Sequence, residues 1–295
     1  MVRSKRLGDQ LFDGFNILLM GLIAVITIYP VWYIFINSIS EPLDAARGGI
    51  YILPRTLSLE SFIYVFRNND IISPLLISVS RTVLGALTHV GFCLLAAFCL
   101  SKKNLFGKKV FMRLIVFTMY FSGGIIPTYM LMKWLGLTNN YLVYIIPNLL
   151  NAFDIILIKT FIEQLPSSLT EAAEVDGAND FTVLARIVAP LCTPILATIT
   201  LYNGVWQWSS WFDNYLYTGR VNELTTLQYL MVKMLRETTL IRQMALSGSG
   251  KTAAPMSPES IKMAVAMIII IPIFATYPFL QKYFVKGIML GAVKG

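Results

Sequence analysis

Six apolar runs divide this chain, and their length restricts its fold more than any other feature. A run of roughly 20 residues, wound as a helix, crosses a hydrocarbon core of about 30 Å with every backbone group bonded inside the segment. The runs are Phe15–Ile36, Val79–Leu100, Phe111–Met132, Tyr141–Phe161, Leu191–Phe212 and Met263–Phe284. A closed barrel needs short alternating strands, and continuous apolar stretches do not alternate. Composition agrees: 56% of the 295 residues are hydrophobic and only 14% charged, against about 25% charged in soluble domains. The expected class is an all-α polytopic membrane protein with six transmembrane helices. The first run is too long for the apolar core of a signal peptide, and Ile36-Asn37-Ser38 offers no small-residue cleavage site, so it is read as a retained span.

Basic residues in short loops set orientation. Arg3, Lys5 and Arg6 precede the first span, Lys102, Lys103, Lys108, Lys109 and Arg113 follow the second, and Lys282, Lys286 and Lys294 lie at the C-terminus. With six spans all three groups share one side, which places both termini in the cytoplasm. Residues 1–14 form a cytoplasmic N-terminus and 15–295 one membrane domain. Residues 37–70 form an outer connection, with a short interfacial helix starting near Leu59-Glu60-Ser61-Phe62, and 213–258 form the longest external loop. The net charge of +8 reports this topology. A lipid membrane is the expected partner and nucleic acid is not. Cys93, Cys99 and Cys192 lack metal-ligand spacing and read as buried apolar thiols, so no metal is expected.

One polar stretch interrupts the pattern between Pro166 and Pro190, on the inner side. Ser168 followed by Glu171 has the form of a capping box, which predicts a short helix from Leu169 to Asp176. Gly177 supplies the left-handed stop, Asn179 or Asp180 caps a second short helix, and Ala172 and Ala173 leave a small-residue face that a neighbour can approach. A decoy lies elsewhere: Ala245, Gly250, Lys251 and Thr252 nearly spell a phosphate-binding loop. That loop needs a strand before it and a helix at the lysine, whereas Pro255 and Pro258 follow at once on the external side.

With the polar segment on the inner face between the fourth and fifth spans, the chain resembles the permease subunits of ATP-binding-cassette importers. Their signature is Glu-Ala-Ala, three residues, Gly, nine residues, then Ile-x-Leu-Pro. Here Glu171-Ala172-Ala173, Gly177, Ile187 and Pro190 stand in register, with Ala189 in place of the usual leucine. Thr170 to Ala178, the ending Val293-Lys294-Gly295, and Tyr277-Pro278-Phe279 through Gly287 look like the oligosaccharide and polysaccharide branch. The resemblance covers essentially the whole chain. It implies a type I importer permease fold in a bacterial cytoplasmic membrane. It also implies a second permease that completes the path, two cytoplasmic ATPase subunits that carry ATP and Mg, an extracytoplasmic solute-binding protein, and no cofactor on this chain. Segment 166–190 then becomes the coupling loop, with Glu171, Ala172, Ala173, Asp176, Gly177 and Pro190 held by the ATPase. Lys294 and Gly295 become tail contacts with it, and Gly248-Ser249-Gly250 a probe for the binding protein's cleft.

The fifth run carries Asn203, Trp206, Gln207, Ser210, Trp211 and Asn214 at spacings of three and four, which put them on one helical face. Amides beside aromatic faces suit a sugar path; interhelical hydrogen bonding and an interfacial aromatic belt explain the stripe equally well. Trp208 lies off the stripe and reads as belt. Arg81 reads as snorkelling to headgroups and His89 as an interhelical hydrogen bond. Asn148, Asn151 and Asp154 are candidates for the inner path. The net +2 of 213–258 admits an acidic sugar, and solvated charge explains it as well. The alternatives are an ABC permease for a non-sugar solute, an ion-coupled secondary transporter with broken helices or intramembrane carboxylates, and a membrane-embedded enzyme, for which no nucleophile-and-base pair appears.

Overall fold

The structure, a computed structural model, describes residues 7–68, 71–246 and 258–292. Among them the regular elements are helices, apart from one antiparallel bridge between Ser40 and Leu57. In chain order they are α1 (Leu7–Ser38), α2 (Pro42–Arg47), α3 (Glu60–Asn68), α4 (Ile72–Ser101), α5 (Lys108–Tyr120), α6 (Ile125–Trp134), α7 (Ala152–Ile162), α8 (Ser167–Val175), α9 (Asp180–Val183), α10 (Ala189–Leu191), α11 (Thr193–Ser209), α12 (Leu227–Leu246) and α13 (Pro258–Ala292).

Three of these are long and apolar enough to cross a membrane, over Leu11–Ser38, Ile72–Ser101 and Glu259–Thr276. Counting each bent pair as one span raises the number to six. The pairs are Lys108–Tyr120 with Ile125–Trp134, bent by 118°, Tyr141–Asn148 with Ala152–Ile162, bent by 49°, and Asp180–Leu191 with Thr193–Ser209, bent by 81°. The apolar runs are therefore where they were expected, but the third, fourth and fifth are broken rather than single helices. Each break has a local cause. Ser122-Gly123-Gly124 follows the end of α5, Pro147 sits in a 3-10 turn before Asn151 caps α7, and Pro194 opens α11 just after Cys192 has left helical geometry.

The chain divides into two compact units, Met1–Asp70 with Met234–Ile271, and Ile71–Lys233 with Pro272–Gly295. In the first, the apolar window of α1 is wholly exposed, as suits a helix facing lipid or a neighbouring chain. Its C-terminal end is tied down: Ser58 N–H donates to the Ile39 carbonyl at 2.8 Å, Glu41 N–H to the Thr56 carbonyl at 3.0 Å, and the Trp32 indole N–H to the Ile52 carbonyl at 2.9 Å. The short helix expected near Leu59 is α3.

The second unit is organised around α4, which packs on α11 and α7. Its buried residues Ser78, Arg81, Gly85, His89, Cys93, Ala97 and Leu100 recur at three and four, one face of a helix. That face meets Ile155, Ile158 and Ile162 of α7, Val183 and Leu184 from α9 onward, and Ile199 of α11. Gly85 permits the closest approach: a Cβ there would lie 2.5 Å from Gln207 Nε2. Cys93 and Cys192 are buried as expected, but Cys99 is exposed because it lies off the inward face of α4. The 213–258 connection also differs from a plain loop, since it contains a π-helical turn (Asn214–Thr218), a 3-10 turn (Asn222–Leu224) and α12.

Candidate functional site

The polar segment folds as helix, glycine turn, helix. Pro166 occupies the N-cap position, with no side-chain cap bond, and α8 begins at Ser167. The capping box expected of Ser168 and Glu171 does not form. Pro166 already turns the chain into the helix, so Ser168 lies inside the first turn instead of ahead of it. The C-terminal end matches expectation. Gly177 has φ +83°, its N–H donates to the Glu174 carbonyl at 3.1 Å, and Ala178 N–H donates to the Ala173 carbonyl at 2.9 Å. This paired closure, with glycine in the left-handed position, satisfies carbonyls that the helix end would leave open. Asn179 caps α9 by accepting from Thr182 N–H at 2.8 Å. A π-helical turn over Leu184–Val188 then precedes Pro190, the widened geometry that a ring without an N–H favours.

Glu171, Ala172, Asp176 and Pro190 are exposed, whereas Ala173 is half-buried against the α4–α7 core, together with Ala178. No hydrogen bond or ion pair engages the Glu171 carboxylate among the described residues. Two apolar neighbours that the sequence reading passed over share this surface: Val175 is 88% exposed and Phe181 70%. Their signal was their presence in an otherwise polar stretch. Lys102, just past α4, donates to Glu174 Oε1 at 2.9 Å and to Asp180 Oδ1 at 2.8 Å. Its hydrogen bond to Asp180, aided by Glu174 against the opposing effect of burial, holds the ammonium above its ordinary pKa. Lys108 reaches Glu163 at 3.3 Å, and Lys159 reaches it at 2.7 Å. The hydrogen bond from Lys159 is the main reason that the Glu163 carboxyl lies below its ordinary range.

The stripe of the fifth run divides. α11 ends at Ser209, so Ser210, Trp211 and Asn214 continue it only through a turn. Gln207 and Asn214 are fully buried in hydrogen bonds within the chain. Gln207 Nε2 donates to the Tyr144 carbonyl at 3.1 Å, and Asn214 Oδ1 accepts from Thr226 N–H at 2.7 Å. Asn203, Ser210 and Trp211 are half-buried and Trp206 is exposed; Asn203 Oδ1 is buried without a hydrogen-bond partner among the described residues. Trp208, read as belt, is instead buried, because it faces the α4 side.

Arg81 corrects a further expectation. It does not snorkel: it is fully buried, with its guanidinium forked onto Asp213 and onto Gln207 Oε1, at 2.9 Å and 3.1 Å for the latter. Its face lies over the Tyr144 ring, 4.4 Å from the centroid. Tyr144 in turn shares a 2.6 Å hydrogen bond with the Thr218 hydroxyl and donates to the Leu224 carbonyl at 2.7 Å. His89 behaves as expected, its ring nitrogens 2.6 Å from the Asn148 carbonyl and 2.9 Å from Asp154 Oδ2. Asn151 accepts from Phe153 N–H as the cap of α7 and Asp154 holds His89, so these two side chains have structural work, while Asn148 contributes its main-chain carbonyl. No group of three metal-ligating side chains occurs among the described residues. Gly248, Ser249, Gly250, Lys294 and Gly295 lie outside the described residues.

Apolar helices, among them three bent pairs, fit a multi-pass membrane protein. No family model matches the chain. Protein LplC of Bacillus subtilis (strain 168) is 37% identical to it over 287 residues, covering 97% of this chain and 96% of that protein. The polygalacturonan/rhamnogalacturonan transport system permease protein YtcP of the same organism is 37% identical over 297 residues, covering 99% and 100%. A chain in the crystal structure of a bacterial ABC transporter involved in the import of the acidic polysaccharide alginate matches with a TM-score of 0.86 and 32% identity, covering 96% of this chain and 100% of that one.

The chain belongs to the permease subunits of ABC importers for oligosaccharides and polysaccharides. It is a multi-pass membrane transport subunit and not an enzyme. Bent spans also occur in secondary transporters, and family membership separates the two classes.

Proposed function

We propose that this permease imports an acidic oligosaccharide of the uronic-acid kind into a bacterial cell, with segment 166–190 docked on a cytoplasmic ATPase subunit. The observation that carries the docking is the outward face of α8 and α9, where Glu171 has no partner within the described chain and Val175 and Phe181 stand in the open. An isolated apolar side chain on a surface means little; two of them beside an unpaired carboxylate on a rigid, doubly bonded elbow fit a cleft in a partner. The ATPase pair holds ATP and Mg, and its closure moves α8 as a rigid body into alternating access. Both termini, Lys102 and the elbow lie in the cytoplasm in this reading. It is supported by the basic groups near the spans and by the contact of Lys102 with Glu174 and Asp180. A second permease completes the path, an extracytoplasmic binding protein delivers the sugar and is contacted in its cleft by Gly248-Ser249-Gly250, and Lys294 and Gly295 reach the ATPase.

The acidic substrate is carried over from the polygalacturonan/rhamnogalacturonan and alginate relatives. Arg81 does not supply its recognition, because Asp213 already neutralises that charge. In this chain Asn203, Trp206, Ser210 and Trp211 line the path, and Gln207 and Asn214 hold the interior behind them. The complete transporter with its binding protein should show ATPase stimulation by galacturonate or alginate oligomers and none by neutral glucose oligomers of equal length. Equal stimulation by both kinds would overturn the acidic assignment.

A further inference from the structure

The end of α4 meets the elbow in two ways. Beneath the turn, Ala173 and Ala178 pack against the cluster that includes Cys93, Ala97 and Phe98 of α4. Across its outer side, the Lys102 ammonium joins Glu174, in the last turn of α8, to Asp180, the first residue of α9, at 2.9 and 2.8 Å. The Gly177 turn lies between these two carboxylates, so one cation spans the bend of the elbow. The Lys102 ammonium also lies 5.0 Å from the centroid of the Phe98 ring, which anchors the side chain to α4 itself. Further along α4, Arg81 binds Gln207 of α11 and Asp213 beyond it. A single helix thus links the elbow to the buried polar cluster of the fifth span.

We propose that Lys102 is a positioning residue for transport: it ties α8 and α9 to α4, so that displacement of the elbow moves α4 and, through Arg81, α11. Apolar contact at two alanines resists compression but resists separation and sliding weakly, because it is non-directional. An ammonium held between two carboxylates has a defined position relative to both. Exposed ion pairs add little to stability, so the bridge acts on geometry, and the chain folds without it. Lys103, the adjacent residue, has no such partners among the described residues and serves as the matched control.

The transport role rests on the docking of α8 proposed above; the tether itself does not. The complete transporter is prepared with Cys99→Ser and a spin label on Ser167→Cys, an exposed site at the start of α8 and outside the docking residues. Lys102→Met should raise label mobility and lower sugar transported per ATP hydrolysed by about five-fold, within the range that residues on coupling networks span. Lys102→Arg should restore both, and Lys103→Met should change neither. Unchanged mobility in Lys102→Met overturns the tether, and raised mobility with unchanged sugar per ATP overturns its role in transport. Glu171→Lys serves as the separate check on docking: wild-type coupling there, together with raised mobility in Lys102→Met, removes the ATPase reading and leaves the tether standing.

Discussion

Asp213→Ala is expected to destabilise the membrane domain by about 3 kcal/mol, the lower end of what breaking a buried ion pair costs. The reason is the charge left behind. Arg81 is fully buried and keeps Gln207, the Ser210 carbonyl and the Tyr144 ring, but loses the anion that balances it. Asp213 is 17% exposed, so some water reaches the site and the cost stays below that of a sealed pair. Removing both charges together, as in Arg81→Met with Asp213→Leu, should recover most of the loss, since an apolar pair of similar volume carries no unpaired ion. Thermal unfolding of the purified transporter in detergent reads both. A single variant as stable as the parent would show that water, and not the protein, balances Arg81.

Glu171→Lys is expected to lower sugar uptake by about 30-fold or more while leaving membrane insertion intact. Truncating one side of a charge pair that becomes buried at an interface costs about 2 kcal/mol or more, and 1.4 kcal/mol is a factor of about ten. The helix itself should tolerate the change, because Glu171 bonds nothing within the described chain and α8 is closed at its C-terminal end by the Gly177 turn. Uptake by right-side-out vesicles, compared with the amount of inserted protein, measures the effect. Uptake at the parent rate would remove Glu171 from the coupling surface.

The placement of the apolar runs was legible because run length against bilayer thickness is a one-dimensional property; the number of spans reaches six only when each bent pair is one span. The breaks were less so: hydropathy summed over a window is blind to Ser122-Gly123-Gly124 and counts Pro147 and Pro194 as tolerable. The elbow was readable at its end, where Gly177 and Asn179 act on immediate neighbours. It was misread at its start, where Pro166 and Ser168 compete for one role. Arg81 was misplaced because its partner lies 132 residues along the chain; nothing local distinguishes a snorkelling arginine from a paired one. The same distance hid Lys102, whose carboxylates lie 72 and 78 residues away. The stripe on the fifth run was a correct reading of which residues are polar, and its one-face geometry failed where α11 ends at Ser209.

The central claim is that the elbow formed by α8 and α9 is held by an ATPase subunit. A photo-crosslinking side chain at Ala172, a small and exposed position beside Glu171, tests it in the complete transporter in membranes. A crosslink to the ATPase subunit that is lost in the Glu171→Lys background is the expected result. Crosslinks confined to lipid or to the second permease would contradict it.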